Sequence, residues 1–169
     1  MFLLIFNNLG RALSKILKII RLKRIRFCIM TQILKLKEVK LSDAKFLYKL
    51  LGERESKIFI SHKDMPTWDE HVEFVKSKPY LKWYIIYSKE EKIGTISLTF
   101  ENEIGIFIKK GTEGKGIGSH ALKMLIEKKS NLRYLANINP KNKESIKFFK
   151  KNRFKLIQYT YEITNSNKK

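Results

Sequence analysis

The segment Glu113-Gly114-Lys115-Gly116-Ile117-Gly118 has the spacing of a ligand loop. Its glycines let the backbone approach a bound group closely. A helix is expected to begin directly after it, and the free amides of a helix start carry about half a positive charge. Loop and helix start together make a seat for phosphate. It is not a P-loop: Gly114-Lys115 is present, but no Ser or Thr follows and the leading glycine is misplaced. Nor is it the first turn of a dinucleotide-binding unit, because the strands before it read as a meander. On the residues alone, a plain tight connection explains the glycines as well as a phosphate seat does.

Two side chains near this loop could move a proton. Glu103 starts the strand that feeds it, and a partly desolvated carboxylate there could take a proton from an ammonium group. His71 lies in a helix of mixed character. Each has a plainer reading, a solvated strand-end carboxylate and a surface imidazole. His62 and His120 read as ordinary histidines, and Trp68 and Trp83 as core or cleft wall.

The elements that must position these groups are legible in the pattern. Ile33–Val39 alternates as a strand does. Ser42 is placed to cap a helix from Asp43 to about Leu51, with Ala44, Leu47, Tyr48 and Leu51 on one face. Thr67-Trp68-Asp69-Glu70 is a capping box, opening a helix to about Lys76 that buries Val72, Phe74 and Val75. Lys82–Ser88, Ile93–Phe100 and Glu103–Lys109 form three strands with short turns, an antiparallel meander. After the loop, a helix from Ser119 to about Lys129 buries Ala121, Leu122, Leu125 and Ile126. Tyr134–Ile138 reads as a strand, Asn142 caps a helix over Lys143–Lys151, and Phe154–Ile163 reads as the last strand. The fold class is α+β, a mixed sheet flanked by helices.

The chain has 169 residues, room for one domain with a sizeable core. Hydrophobic content of 43% excludes a wholly disordered chain. One cysteine, Cys28, excludes an internal disulfide and a Cys-rich metal site, and a reducing, cytoplasmic setting is the simpler expectation. No apolar run reaches the ~18–20 residues of a membrane span. The charge is +20, from 36 Lys and Arg against 16 Asp and Glu. Lysine dominates, as AT-rich codons alone would arrange, so a nucleic-acid partner is not expected. The excess still attracts anionic ligands. Residues 1–29 hold seven basic residues and no acid, with Leu9, Leu13, Ile16, Leu17 and Ile20 at helical spacing. They read as a basic amphipathic extension: a membrane-surface helix, a targeting segment, or sequence upstream of a true start at Met30. Membrane contact is expected only if this segment is translated. Residues 30–163 then form the domain and residues 164–169 a polar tail.

With its context, the loop resembles the acetyl-CoA loop of the GNAT acetyltransferase superfamily, Gln/Arg-x-x-Gly-x-Gly/Ala between a strand and a helix. A second motif follows at the family distance. Asn142-x-x-Ser145-Ile146-x-Phe148-Phe149-Lys150-Lys151-Asn152-Arg153-Phe154 looks like the family's N-x-x-(A/S)-I-x-(F/L)-Y-x-x-x-G-F. The resemblance spans Met30 to about Ile163. It implies a three-layer fold with a mostly antiparallel, V-splayed sheet, acetyl-CoA as co-substrate and no metal. It implies that Ile106, Phe107 and Ile108 pair with the pantetheine arm. Glu113, Gly114, Lys115, Gly116, Ile117, Gly118 and Ser119 would hold the pyrophosphate. Asn137 would contact the cofactor from the facing strand, and Asn142 and Phe149 would line its thioester end. The acceptor amine would attack the acetyl carbonyl directly, with a backbone amide polarising that carbonyl.

The chain departs from the pattern. Glu113 replaces Gln or Arg. Phe149 stands where many relatives have the tyrosine that protonates the leaving thiolate, so Tyr159, Tyr161 or water must serve, or the thiolate leaves unassisted. Arg153 replaces the glycine before Phe154. The chain ends after one strand where many relatives have two, so the last hairpin is shortened or is completed by a second copy in a homodimer. For the acceptor, Arg54, the helix Glu70-His71-Val72-x-Phe74-Val75 and Trp83-Tyr84-Ile85-Ile86 resemble the amino-sugar N-acetyltransferases of pseudaminic acid biosynthesis. On that resemblance the acceptor is a UDP-linked amino sugar, with Arg54 and His71 touching it. The Glu-Ile-Gly strand is shared with ribosomal-protein N-terminal acetyltransferases, the alternative. A non-catalytic acetyl-CoA-binding or regulatory module is the alternative of another class.

Overall fold

The computed structural model describes residues 17, 18, 21, 34–53, 64–112, 115–128 and 133–161. Leu17, Lys18 and Arg21, from the basic extension, are helical and exposed. The elements are β1 (Leu34–Glu38), a 3-10 turn (Leu41–Asp43), α1 (Ala44–Gly52), α2 (Trp68–Lys76), β2 (Lys82–Ser88), β3 (Glu91–Leu98), β4 (Ile104–Ile108), α3 (Ile117–Glu127) and α4 (Lys143–Lys151). The four strands form one antiparallel sheet in the order β1-β2-β3-β4.

The sheet is covered on both faces. On one, Tyr84, Ile86, Ile96, Leu98 and Ile104 pack with Ala121, Leu122 and Leu125 of α3. On the other, Ile85 packs with Ala44 and Leu47 of α1 and Val75 of α2. Ile85, Ile86 and Ile96 are fully buried, each contributing about 1.5–3 kcal/mol by leaving water.

Local chemistry sets the ends. Thr67 caps α2 as expected: Glu70 N donates to its Oγ1 at 3.3 Å, and Thr67 N donates to Glu70 Oε2 at 2.7 Å. The bonds that its carboxylate accepts from Thr67 N and from Thr67 Oγ1, the latter at 2.8 Å, hold the Glu70 carboxyl below the usual carboxylate range. Ser42 does not cap α1. Asp43 turns back instead to accept from Lys40 N at 2.8 Å, and a 3-10 turn precedes the helix. Asp43 also pairs with Lys92 of β3 at 2.6 Å, which tacks α1 to the sheet. The β2–β3 turn falls on Lys89-Glu90, two residues before the Glu91-Lys92 turn read from the sequence. In α2 the buried residues are His71 and Val75, whereas Phe74 is 43% exposed.

The two final strands differ most from expectation. Over Tyr134–Ile138 the described pairing is a single parallel bridge between Leu135 and Glu103. Of Phe154–Ile163, residues 154–161 form no strand, and Leu156, Ile157, Tyr159 and Tyr161 are exposed. Residue pattern reports β propensity, but a strand exists only where a partner satisfies its backbone. Among the described residues, neither segment offers the other a ladder.

Candidate active site

β4 is the edge of the sheet. At its start, Ile104 N donates to Leu135 O at 2.8 Å and Leu135 N donates to Asn102 O at 2.9 Å. Beyond this point residues 136–139 leave the strand. Among the described residues the two segments pair at one end and form no further ladder beside Ile106, Phe107 and Ile108, which is where a wedge along β4 would open.

Glu103 sits at the apex. Its backbone N donates to Thr99 Oγ1 at 3.1 Å, and its carboxylate Oε1 accepts from Asn137 Nδ2 at 2.7 Å. Two residues singled out on separate strands are thus in direct contact, closing the apex with a side-chain bond.

The wide end of the wedge leads to the glycine loop. Thr112 Oγ1 donates to Lys109 O at 2.6 Å, and Lys110 N donates to Glu53 Oε2 at 3.1 Å, tying the loop to the end of α1. Glu53 lies 57 residues from its partner, and no local pattern in the chain marks it. Glu113 and Gly114 fall outside the described residues, as do Arg54 and His62. Gly116 is the N-cap of α3 with φ 79°, a left-handed conformation that disfavours any side chain. It brings no capping side chain, so the first amides of α3, at Ile117, Gly118 and Ser119, have no side-chain cap at Gly116. Lys115 precedes this helix start in the chain, and Lys109, two residues before Gly111, is paired with Glu91 at 3.3 Å.

The remaining candidates are placed differently. Asn142 caps α4, its Oδ1 accepting from Ser145 N at 2.9 Å, so that oxygen is committed to the helix. Phe149 is 7% exposed, stacked edge-on between Phe148 and Phe154 at centroid distances of 5.0 Å. It is core more than lining. His71 is 5% exposed, and its Nε2 lies 3.0 Å from Ala44 O. A carbonyl only accepts, so Nε2 carries the hydrogen. Packed against Tyr48 and Trp68, the ring joins α2 to α1; the expected open position at an acceptor cleft is not where the chain puts it. Arg153 adopts φ 69°, the left-handed conformation that explains a glycine in the family pattern. Burial pushes the Tyr134 phenol up. Among the described residues, no group of three His, Cys, Asp or Glu could hold a metal, and no helix is long and apolar enough to cross a membrane.

Comparison with solved structures finds the same architecture. A domain from Methanocaldococcus jannaschii is 26% identical, covering 76% of this chain and 92% of that one, with a TM-score of 0.68. RimL, a ribosomal-protein α-N-acetyltransferase in complex with coenzyme A, is 20% identical over 75% of this chain and 82% of that one, with a TM-score of 0.62. A Salmonella typhimurium acetyltransferase that modifies the N-terminal serine of a 50S ribosomal subunit protein is 20% identical over 72% and 80%, with a TM-score of 0.60. No curated protein sequence matches. The acetyltransferase (GNAT) domain model matches residues 34–155, most of the chain, so the chain belongs to the GNAT acetyltransferase family and is an acetyl-CoA-dependent N-acetyltransferase.

Proposed function

We propose that the chain moves an acetyl group from acetyl-CoA directly to a primary amine, with the wedge beside β4 as the cofactor seat and Glu103 at its apex as the base. The observation that carries this is the single Glu103–Leu135 bridge, with no further ladder along β4 among the described residues, together with a helix start at Gly116 that brings no side-chain cap. The pantetheine arm would follow Ile106, Phe107 and Ile108, and the pyrophosphate would sit on the amides of Gly116–Ser119. In the reaction the amine nitrogen bonds to the acetyl carbon and the carbon–sulfur bond breaks. The amine proton passes to Glu103, and water protonates the thiolate. Phe149 has no proton to give, and Tyr159 and Tyr161 lie on the exposed segment after α4. His71 is left out of the catalytic set because its Nε2–H is spent on Ala44.

For the acceptor we favour a nucleotide-linked amino sugar, supported by the α2 and β2 resemblance and by a basic chain suited to an anionic nucleotide. The reading places catalysis in residues 30–163, with residues 1–29 as an extension and a cytoplasmic reaction. A second copy pairing along residues 154–161 would make the homodimer. A protein α-amino group is the second reading, favoured by the likeness to RimL. The test is an acceptor screen with acetyl-CoA, using UDP-linked 4-amino sugars and peptides with free N-termini. Acetylation of the sugars supports the first reading, and acetylation of peptides alone replaces it with the second.

A further inference from the structure

On the face of the sheet that carries α1 and α2, three residues of adjacent strands stand in one row. Trp83 of β2 is opposite Ser97 of β3, and Ser97 is opposite Gly105 of β4. Directly opposed residues of antiparallel strands present their side chains on the same face. The helices cover the β1–β2 part of this face and leave Gly105 exposed. The row is therefore a step from an aromatic wall down to bare backbone.

The wall is Trp83 with Tyr80 and Phe74, edge-to-face at centroid distances of 4.9 and 5.9 Å. Trp83 is fixed in place: its Nε1 donates to Thr95 Oγ1 at 2.9 Å, and that hydroxyl donates to Tyr84 O at 2.9 Å. The floor is Ser97 and Gly105. A Cβ at Gly105 would lie 2.8 Å from Ser97 Oγ, so only glycine keeps this hydroxyl open. Ser97 is 9% exposed, and among the described residues its hydroxyl has no hydrogen-bond partner. Its oxygen is not sealed from solvent, so a ligand hydroxyl can reach it and replace a hydrogen bond to water with one to Ser97. Two positions before Gly105, on the same side of the strand, stands Glu103.

We propose that this row is the acceptor subsite, and that Ser97 recognises a hydroxyl on the carbon next to the reacting amine of a ring-shaped acceptor, the arrangement of an amino sugar. The inference rests on the reading of Glu103 as the base. Glu103 and Gly105 are about 7 Å apart along the strand, enough for an amine and its neighbouring hydroxyl with a hydrogen bond at each end. The apolar face of the ring lies against the aromatic wall, as ligand rings do in largely apolar pockets with a few placed polar groups. Ser97 and Gly105 act in acceptor specificity and make no contribution to holding acetyl-CoA.

The test uses the full chain with acetyl-CoA and two probes, a UDP-linked 4-amino-4,6-dideoxyhexose and the same compound without its 3-hydroxyl. Wild type is expected to favour the hydroxylated probe. Ser97→Ala should raise its KM about 10-fold, leave the KM of the deoxy probe unchanged, and leave acetyl-CoA affinity unchanged. Gly105→Ala should raise KM for both probes with the same acetyl-CoA affinity. An unaltered preference between the probes in Ser97→Ala overturns the proposal. So does binding of acetyl-CoA without acetylation of either probe. Failure of the folded chain to bind acetyl-CoA would instead take down the cofactor reading beneath it, and the subsite with it.

Discussion

Asn137 Nδ2 donates a hydrogen bond to Glu103 Oε1 across 2.7 Å, joining the two segments that otherwise share a single bridge at Glu103 and Leu135. The bond fixes one carboxylate oxygen at the apex and leaves the other for a proton. Glu103→Gln should lower turnover by about 100-fold, most strongly at acidic pH, with little change in acetyl-CoA affinity. Asn137→Ala removes only the orientation and should cost about 10-fold in kcat, partly recovered in Asn137→Gln. Steady-state kinetics against pH would check both. An unaltered pH–rate profile in Glu103→Gln would remove it as the base.

Glu53 holds Lys110 N at the entrance of the glycine loop proposed to seat the cofactor phosphates. Glu53→Ala should weaken acetyl-CoA binding about 5-fold while kcat at saturation stays near wild type. Glu53→Gln keeps an accepting oxygen and should recover most of the affinity. Calorimetric titration of the two variants separates this from a general loss of structure.

Arg153 occupies a left-handed position, φ 69°, at the end of α4. A non-glycine residue there costs about 1–2 kcal/mol, and glycine gives back roughly half of that through its freer unfolded chain. Arg153→Gly should therefore stabilise the fold by about 0.5–1 kcal/mol. Urea denaturation should show a higher midpoint at constant slope.

Lys92 and Asp43 form a partly buried pair, and the bond to Asp43 raises the Lys92 ammonium above its ordinary 10.5. A raised value in the fold means that the stabilisation is full below the ordinary lysine value. It is lost as pH climbs through the raised one. Lys92→Met leaves the Asp43 carboxylate, 8% exposed, without its cation. The loss should be about 2 kcal/mol, less than for a fully buried pair. It should shrink as pH climbs past the ordinary lysine value and through the raised one, where wild type loses the same interaction, a trend that melting curves across pH would reveal.

What was legible in the sequence is what is local. The Thr67–Glu70 box, the β2–β4 meander and a helix after the glycine loop are each written within a few residues, and each formed, although that helix starts at Ile117, two residues before the expected Ser119. What was not legible depends on partners far along the chain. His71 looks polar in sequence, and only the approach of α1 turns it into a buried tie. The Ser97–Gly105 floor requires the β3–β4 register; its one local trace is a glycine inside a strand, a sign of close approach. Segment 154–161 has the right residues for a strand, but propensity does not supply a neighbour.

The Gly116 helix start and the edge of β4 are proposed to hold acetyl-CoA. Calorimetry of acetyl-CoA on the full chain, beside Gly116→Glu with its folding checked by circular dichroism, tests this most directly. Saturable binding to wild type on the order of micromolar, abolished by the bulk and charge of Gly116→Glu, is the predicted result. Equal affinity in the folded variant, or no binding by folded wild type, would contradict it.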